Sequence, residues 1–324
     1  MRRIVSFAAA LLVMFGAASC EKESMNGSSV LFNFEIPTGT VTRADMSDGS
    51  TVNELVYEVY VGDDVMYEGS VGRNTDGKFT LALNLVKGME YDLLFWAQVK
   101  GNPYYNTDVL KKVTVSYEGN ANDEKRDAFY GSCLNFKPSA TPPPTVYLTR
   151  PFAQVNFGSS EKDWTAAKPF VVDAKGNVNV SSMATFANVP NVFDVEKGDV
   201  VEGEFVKEVD FRISPAPIAE AKYSNDFISY NNAQYAWVMM NYILAPKDNP
   251  ATAEFEGLNI DIPKAAFVHL KNASAPLTQQ VWSVPVAQNY RTNILGEIFT
   301  EGTDFEIVIN PGFTDDKVVV IPQK

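Results

Sequence analysis

The sequence predicts an all-β protein made of two tandem antiparallel β-sandwiches with few short helices. Three observations predict this class. Apolar residues alternate with polar ones along many short segments, turn-forming residues separate those segments, and a helical period of apolar residues is weak throughout. Of all residues, 45% are hydrophobic, which is enough to fill two cores.

The first residues are typical of an export signal. Arg2 and Arg3 form a charged start, and residues 4–18 form a nearly uninterrupted run of apolar and small side chains. This run is too short to span a membrane and fits the hydrophobic region of a signal peptide. We therefore expect residues 1–19 to be removed, which takes away two arginines and no acid and changes the formal net charge from −13 to −15.

The end of this run predicts a lipid attachment site. Residues 17–20 read Ala-Ala-Ser-Cys and resemble the lipobox of bacterial lipoproteins, with Ala17 in place of the preferred leucine. The resemblance implies that Cys20 carries a diacylglycerol, and residues 20–29 are then a polar tether that holds the folded part off the bilayer. The alternative is an ordinary secretory signal followed by an incidental cysteine.

Period-two alternation predicts the strands of a first sandwich, with expected bounds 30–150. Its first strand, residues 30–36, places large apolar side chains on one face: Val30, Phe32, Phe34 and Ile36. Residues 91–99 are apolar on both faces, which predicts a strand in the middle of a sheet. The other predicted strands of this half are 55–61 and 79–85, with turns at 62–64, 74–77 and 87–88.

The proline-rich stretch 137–145 predicts the connection between the sandwiches. A strand resumes at 146–157 but is interrupted at Pro151, which cannot donate to a central ladder, so the second domain is assigned to residues 151–324. A short helix is expected at 122–130, with Asn122 as its cap. The strands predicted for the second half are 209–213, 235–244, 253–262, 281–286, 290–299, 305–309 and 317–321.

Composition and charge argue against several functions. The acidic net charge of −13 repels phosphate backbones, so no nucleic-acid partner is expected. The single histidine, His269, lies in an apolar stretch, which favours a half-buried strand residue over a catalytic base. Because phosphate-binding glycine motifs are also lacking, we expect no enzyme, no cofactor and no metal. Carboxylate pairs of a glycoside hydrolase and calcium near Asp45 and Asp48 are the alternatives.

Cysteine and tyrosine positions allow two interpretations each. Cys133 is the only cysteine besides Cys20, so we expect no disulfide and a small core residue, with a reactive thiol as the alternative. Tyr104 and Tyr105 follow Pro103 in a predicted loop, where exposed rings could stack on sugars as a ligand site. Their alternative role is to cover the end of a sandwich.

Several short motifs together resemble the fimbrillin-like lipoproteins of anaerobic Gram-negative bacteria, and they extend over most of the chain. The segments that carry the resemblance are the lipobox at Cys20, the strand 29–36, the loop 40–44, the strands 55–61 and 91–97, the crossing 146–155 and the segment 289–296.

The resemblance implies two sandwiches of transthyretin-like topology on a lipoprotein carried to the outer membrane. In that family a trypsin-like protease cuts after an arginine that follows the first strand, which here matches Arg43 and Ala44. An extended segment of the next subunit then fills the groove left by the removed strand. The displaced residues would be Val30, Phe32, Phe34 and Ile36, and the candidate donor strand is Val318, Val319, Val320 and Ile321. The alternatives are an uncut Arg43 and a last strand paired within its own domain.

We therefore expect a lipid-anchored protein of the outer membrane and cell surface that acts as a fimbrial subunit, anchor or related adhesin. Its expected partners are other fimbrial subunits or further copies of itself, and host or bacterial surface glycans or proteins. If it is processed, it would be part of a fimbrium. The alternative is a surface glycan- or host-ligand-binding lipoprotein that does not polymerise.

Overall fold

The computed structural model describes residues 27–36, 49–119, 121–139, 143, 145–163, 165, 184–211, 227–247, 263–272, 275–283, 286–297, 305–311 and 319–322. They form mostly strands with a few short helical turns, such as Leu110–Lys112 and Glu124–Arg126, so the predicted all-β class is confirmed. None of the described helices is long and apolar enough to cross a membrane.

The strands fall into two groups along the chain. Those before residue 150 are β1 (Gly27–Glu35), β2 (Glu54–Val61), β3 (Asp64–Gly72), β4 (Thr80–Val86), β5 (Tyr91–Gln98), β6 (Tyr105–Asn106), β7 (Val113–Val115), β8 (Phe129–Phe136) and β9 (Val146–Tyr147). Those after it are β10 (Phe152–Ser160), β11 (Ala184–Pro190), β12 (Val192–Asp194), β13 (Asp199–Val200), β14 (Phe205–Phe211), β15 (Phe227–Tyr230), β16 (Ala233–Leu244), β17 (Pro263–Asn272), β18 (Ala275–Ser283), β19 (Tyr290–Gly296), β20 (Phe305–Pro311) and β21 (Val319–Pro322).

The first sandwich packs a three-stranded sheet, ordered β4-β1-β9, against a four-stranded sheet, ordered β3-β2-β5-β8. Alternate residues of β1, β2, β4 and β5 point between the sheets and form one apolar core. As predicted, β5 is an inner strand, paired on one side with β2 and on the other with β8.

The second sandwich packs a six-stranded sheet, ordered β15-β16-β10-β19-β20-β21, against a four-stranded sheet, ordered β14-β11-β17-β18. Phe157 of β10 and Phe186 of β11 meet between the sheets, with ring centroids 6.4 Å apart. Phe186 continues the contact to Phe211 of β14 at 5.6 Å. The first of these edge-on aromatic contacts joins the two layers, and the second links neighbouring strands of the four-stranded sheet.

A small sheet, ordered β13-β12-β7-β6, combines strands from before and after residue 150. Beside it, Trp96 of the first sandwich lies 6.3 Å from the ring of Phe152 and 6.1 Å from that of Phe193. One core cluster therefore extends from the outer face of β5 into the second sandwich. The domain boundary at residue 150 stays a prediction.

The predicted helix at 122–130 is wrong in type, length and cap. Asn122 has φ 61°, outside the extended region that is typical of an N-cap, and Asp123 instead accepts a hydrogen bond from the amide of Lys125. A single 3-10 turn follows at Glu124–Arg126, and β8 begins at Phe129. The side chain of Asn122 is used elsewhere, because its Oδ1 accepts from the amide of Met240 at 2.6 Å.

Most other strand predictions of the first half are confirmed, and the turns at 62–64, 74–77 and 87–88 connect the strands as expected. In the second half the segment 253–262 lies outside the described residues. Strands that the sequence did not predict are β3, β6, β7, β8, β11, β12, β13, β15 and most of β17 and β18.

Candidate strand-exchange site

β1 is the middle strand of its sheet. It pairs antiparallel with β4 from Gly27 opposite Val86 to Asn33 opposite Thr80. On the other side it pairs in parallel with β9, but only at Phe34 and Glu35. β1 therefore completes its sheet from within, and its removal would open a slot between β4 and β9.

The inward face of β1 is part of the core. Val30, Phe32 and Phe34 are 5%, 0% and 4% exposed, whereas Leu31 on the opposite face is 52% exposed. Phe34 packs edge-on against Phe95, with centroids 4.7 Å apart. The alternation that predicted this strand thus corresponds to its burial, and Ile36 at its end is half-buried against the same core.

One edge of β1 is paired only in part. Because β9 reaches only Phe34 and Glu35, residues 27–33 have no strand neighbour on that side within the described part of the chain. Leu148 closes the paired end by donating its amide to the carbonyl of Glu35 at 2.8 Å. The residues that precede β9 are rich in proline, which cannot extend the ladder.

Arg73 binds the backbone where the chain rejoins the first sandwich after β1. Its guanidinium donates to the carbonyls of Val52 at 2.5 Å, Gly49 at 2.6 Å and Gly77 at 2.9 Å. Gly49 has φ +71°, and a Cβ there would lie 3.0 Å from a methyl group of Ile36. Ile36 and Gly49, which flank the segment 37–48 in the sequence, therefore lie next to each other.

A cavity of about 290 Å³ lies at this place, lined by residues of the β1 end and of the β3–β4 connection: Phe34, Glu35, Ile36, Arg73, Gly77, Lys78 and Phe79. Arg43 and Ala44, which form the predicted processing bond, lie in the segment 37–48, outside the described residues. The predicted lipid site at Cys20 also lies outside them.

The candidate donor strand is paired inside its own sandwich. β21 runs antiparallel to β20, with Val320 opposite Val308 and Ile321 opposite Ile307. It is the last strand of the six-stranded sheet, so only one of its edges has a neighbour among the described strands. Val319 starts the strand, and Val318 lies outside the described residues. The donor role stays a prediction.

The predicted ligand loop is not an exposed aromatic platform. Tyr105 belongs to β6, is 8% exposed, and donates its hydroxyl to the carbonyl of Arg126. Tyr104 is half-buried, its hydroxyl donates to Asp123 at 2.5 Å, and the Arg126 guanidinium lies 3.7 Å from its ring centroid. The burial of Tyr105 and the half-burial of Tyr104 favour the alternative in which the rings cover part of the fold, and the ligand role of this loop stays a prediction.

A buried ion pair, which the sequence did not reveal, holds the crossing between the sandwiches. Arg150 and Asp127 are 1% and 0% exposed at their side chains, and two guanidinium nitrogens donate to the two carboxylate oxygens at 2.8 and 2.9 Å. Burial lowers the pKa of Arg150, but the Asp127 carboxylate outweighs it, so the pKa is raised overall. The Arg150 guanidinium also covers the ring of Phe129 at 4.4 Å.

The structure describes the side chain of Cys133 but only the backbone of His269. Cys133, on β8, is half-buried, and burial followed by the charge of Asp92 raises the pKa of its thiol, so the thiolate is disfavoured. His269 is a strand residue of β17, as predicted, but its side chain lies outside the described part. Within the described residues no three His, Cys, Asp or Glu side chains are grouped to hold a metal.

Comparison with known proteins matches a family model whose description is "Family of unknown function (DUF6562)", over residues 22–322. No curated protein matches.

Solved structures match at low identity. A fimbrial assembly protein from Parabacteroides distasonis is 12% identical, with 91% of this chain and 99% of that chain covered and a TM-score of 0.46. The tip fimbrial protein Mfa3 from Porphyromonas gingivalis, with a C-terminal truncation, is also 12% identical, covering 87% and 99% with a TM-score of 0.44. A Bacteroides thetaiotaomicron protein described provisionally as polysaccharide binding is 13% identical, covering 91% and 98% with a TM-score of 0.49.

Proposed function

The chain belongs to DUF6562, a family of unknown function, and we propose that it is a cell-surface fimbrial subunit, anchor or related adhesin that assembles by exchange of β1. The observation that carries the proposal is that β1 is the middle strand of its sheet, has one buried face, and is joined to the rest of the sandwich through the segment 37–48.

The energetics of β1 support this function. Three of its side chains, Val30, Phe32 and Phe34, are at most 5% exposed, and burial of each contributes about 1.5–3 kcal/mol. Removal of the strand would also leave unpaired backbone groups along β4. Such a slot favours the addition of another extended segment, because main-chain hydrogen bonds and apolar pockets are both offered to it.

Cleavage after Arg43 is the proposed trigger. The bond to Ala44 follows β1 and precedes Gly49, where the chain returns to the sandwich beside Ile36. A cut there would separate β1 from the following strands without breaking any described strand. The released slot would then accept β21 of a neighbouring copy, whose residues Val319 and Ile321 belong to an edge strand.

The experiment incubates the purified precursor with an Arg-specific protease and follows it by N-terminal sequencing and size-exclusion chromatography. We expect a new N-terminus at Ala44 and a shift from monomer to oligomers. The matched control is Arg43→Ala, which keeps the loop length and should stay intact and monomeric. A different N-terminus, or a cleaved protein that keeps β1 bound and stays monomeric, would refute assembly by exchange.

Surface attachment through Cys20 is part of the same proposal. β1 begins at Gly27, so the last three residues of the predicted tether 20–29 belong to this strand, and residues 20–26 would connect the lipid to the first sandwich. Expression with radiolabelled palmitate should label the outer-membrane fraction, and Cys20→Ala should abolish the label. A labelled Cys20→Ala protein would contradict the assignment.

The alternative function, glycan or host-ligand binding without polymerisation, loses its predicted platform. Tyr105 is buried and one face of Tyr104 is covered by Arg126, so neither ring is presented to a sugar as expected. If Tyr104→Ala nevertheless abolished binding on a glycan array while the fold stayed intact, this alternative would replace the first.

A further inference from the structure

β3 is an edge strand that is exposed on both faces. Eight of its nine residues are exposed, and within the described sheets it pairs only with β2. Three consecutive apolar residues stand in solvent: Val65 is 45% exposed, Met66 49% and Tyr67 39%. A strand of this kind offers a row of backbone donors and acceptors to another chain.

Two features of β3 oppose pairing with a second copy of itself. Val59 lies opposite Tyr67 and Tyr60 lies opposite Val65, so Met66 is an extra residue that forms a bulge. Two of its nine residues, Asp64 and Glu68, are acidic and none is basic. Two such edges side by side would bring like charges together, which selects against self-association and for a basic partner.

An acidic cleft of about 410 Å³ lies on the sheet face beside this edge. β2, β3, β5 and the β6–β7 loop line it, and no lysine or arginine is among its lining residues: Glu54, Val56, Tyr57, Glu58, Glu68, Gly69, Ser70, Gln98, Thr107 and Asp108. β3 itself contributes Glu68, Gly69 and Ser70, so a chain lying along β3 would pass over the mouth of the cleft.

Glu58 is the most buried carboxylate of the cleft. It is 3% exposed, and its Oε2 accepts from the hydroxyl of Tyr60 at 2.6 Å and from the amide of Leu110 at 2.9 Å. Its second oxygen, Oε1, has no hydrogen-bond partner among the described residues. Burial most of all, and then the bond to Glu58 and the charges of Glu58, Glu196 and Glu68, raise the pKa of Tyr60.

We propose that an extended basic segment of a partner protein adds to β3 as a fifth strand of this sheet and inserts a lysine or arginine side chain into the cleft. The main-chain hydrogen bonds would follow the free edge, and the inserted cation would meet Glu58, Glu68 and Asp108. This surface is separate from β1, so the contact does not depend on strand exchange.

A neutral glycan fits the cleft less well. Sugar sites usually present an aromatic face, and the one aromatic residue here, Tyr57, is half-buried and packs against the core of the first sandwich. Four carboxylates with no lysine or arginine among the lining residues call for a cation rather than for neutral hydroxyl groups.

The test uses a fluorescent nine-residue peptide of alternating lysine and valine, added to the full-length mature protein at low salt. We expect saturable binding that weakens as salt rises, together with slower hydrogen exchange of β3 amides. Two peptides serve as controls: glutamate in place of lysine removes the charge match, and N-methylation of alternate amides blocks strand pairing while keeping every side chain. Both should bind at least about tenfold more weakly.

The variant Glu68→Gln with Asp108→Asn should weaken binding of the lysine peptide about tenfold, since both residues are exposed and neither holds the core. The matched control Glu202→Gln with Asp76→Asn removes the same charge at exposed turns outside the cleft and should bind as the original chain does. Equal binding of the N-methylated peptide, equal weakening in the control variant, or binding of mannohexaose in the cleft instead would each overturn the proposal.

Discussion

Arg150 and Asp127 show how a single pair of residues can fix a junction. Both side chains are at most 1% exposed and share two hydrogen bonds. We predict that Arg150→Met destabilises the protein by about 3–5 kcal/mol, because it leaves Asp127 charged, buried and without its partner. The double variant with Asp127→Leu should recover part of this loss. Urea unfolding of the two single variants and the double variant measures the coupling.

The surface pair of Lys137 and Glu90 is the control for this cycle. Its side chains are 66% and 46% exposed, so solvent screens the attraction and the same cycle should give a coupling near zero. Equal coupling energies for the buried and the exposed pair would contradict the assigned role of Arg150.

Tyr130 makes stability depend on alkaline pH. Burial, and then the charge of Asp199, raise its pKa from 10.0 to about 12, and its hydroxyl donates to Gln288 Oε1 at 3.0 Å. The folded state therefore keeps the hydroxyl proton up to a higher pH than the unfolded state does. The contribution of Tyr130 to the free energy of unfolding is fully present below pH 10 and should be lost as the pH rises from about 10 to about 12.

The variant Tyr130→Phe tests this sign. It should be less stable at neutral pH, because the hydrogen bond is lost, but its decline above pH 10 should be less steep than in the original chain. Urea unfolding at a series of pH values measures both effects. Tyr67→Phe, at a residue that is 39% exposed, should keep the original steepness, and an unchanged slope in Tyr130→Phe would sink the prediction.

β1 is the element on which the proposed function depends, and its two faces can be tested separately. Phe32 is 0% exposed and contacts Phe136 with ring centroids 5.2 Å apart, whereas its neighbour Leu31 is 52% exposed. Phe32→Ala should cost about 3–5 kcal/mol by leaving a cavity. Leu31→Ala should change stability little, so urea midpoints of the two variants should separate clearly. Similar midpoints would mean that β1 is not a permanent part of the core.

The predictability of the elements from sequence follows their burial. β1 and β5 were predicted because a core on one or both faces imposes a regular pattern of apolar residues, as in Phe32 and Phe34. β3 was missed because solvent surrounds Met66 and Glu68 alike, so nothing selects an alternation there. β6 has two residues and is too short to show a period, which is why Tyr105 was interpreted as part of an open loop.

The site was predicted in part, for the same reason. The apolar face of β1 is visible in the sequence, since its spacing is local. The hydrogen bonds of Arg73 and the ion pair of Asp127 with Arg150 join residues that are far apart in the chain. The partners of Arg73 are backbone carbonyls, which no residue type in the sequence indicates. The helix prediction at 122–130 failed because the side chain of Asn122 is recruited by Met240, 118 residues away.

At the scale of the whole molecule, the two sandwiches share one core cluster that begins on the outer face of β5. Trp96 is 0% exposed and contacts Tyr105, Phe152 and Phe193, with ring centroids 5.4, 6.3 and 6.1 Å away. A contact surface of buried aromatic rings couples neighbouring units more strongly than a polar one. We therefore expect the original chain to unfold in a single calorimetric transition.

Trp96→Ala should split that transition in two, because it removes the ring that joins β5 to the second sandwich and leaves a cavity at the junction. The matched control is Phe95→Ala, at the next residue of the same strand, which faces the core of the first sandwich and contacts Phe34 at 4.7 Å. Phe95→Ala should lower the midpoint but keep one transition, since the junction stays intact. Differential scanning calorimetry distinguishes the two results. If Trp96→Ala also unfolds in one transition, other contacts couple the two sandwiches. Removal of β1 from the first sandwich should then also lower the stability of the second.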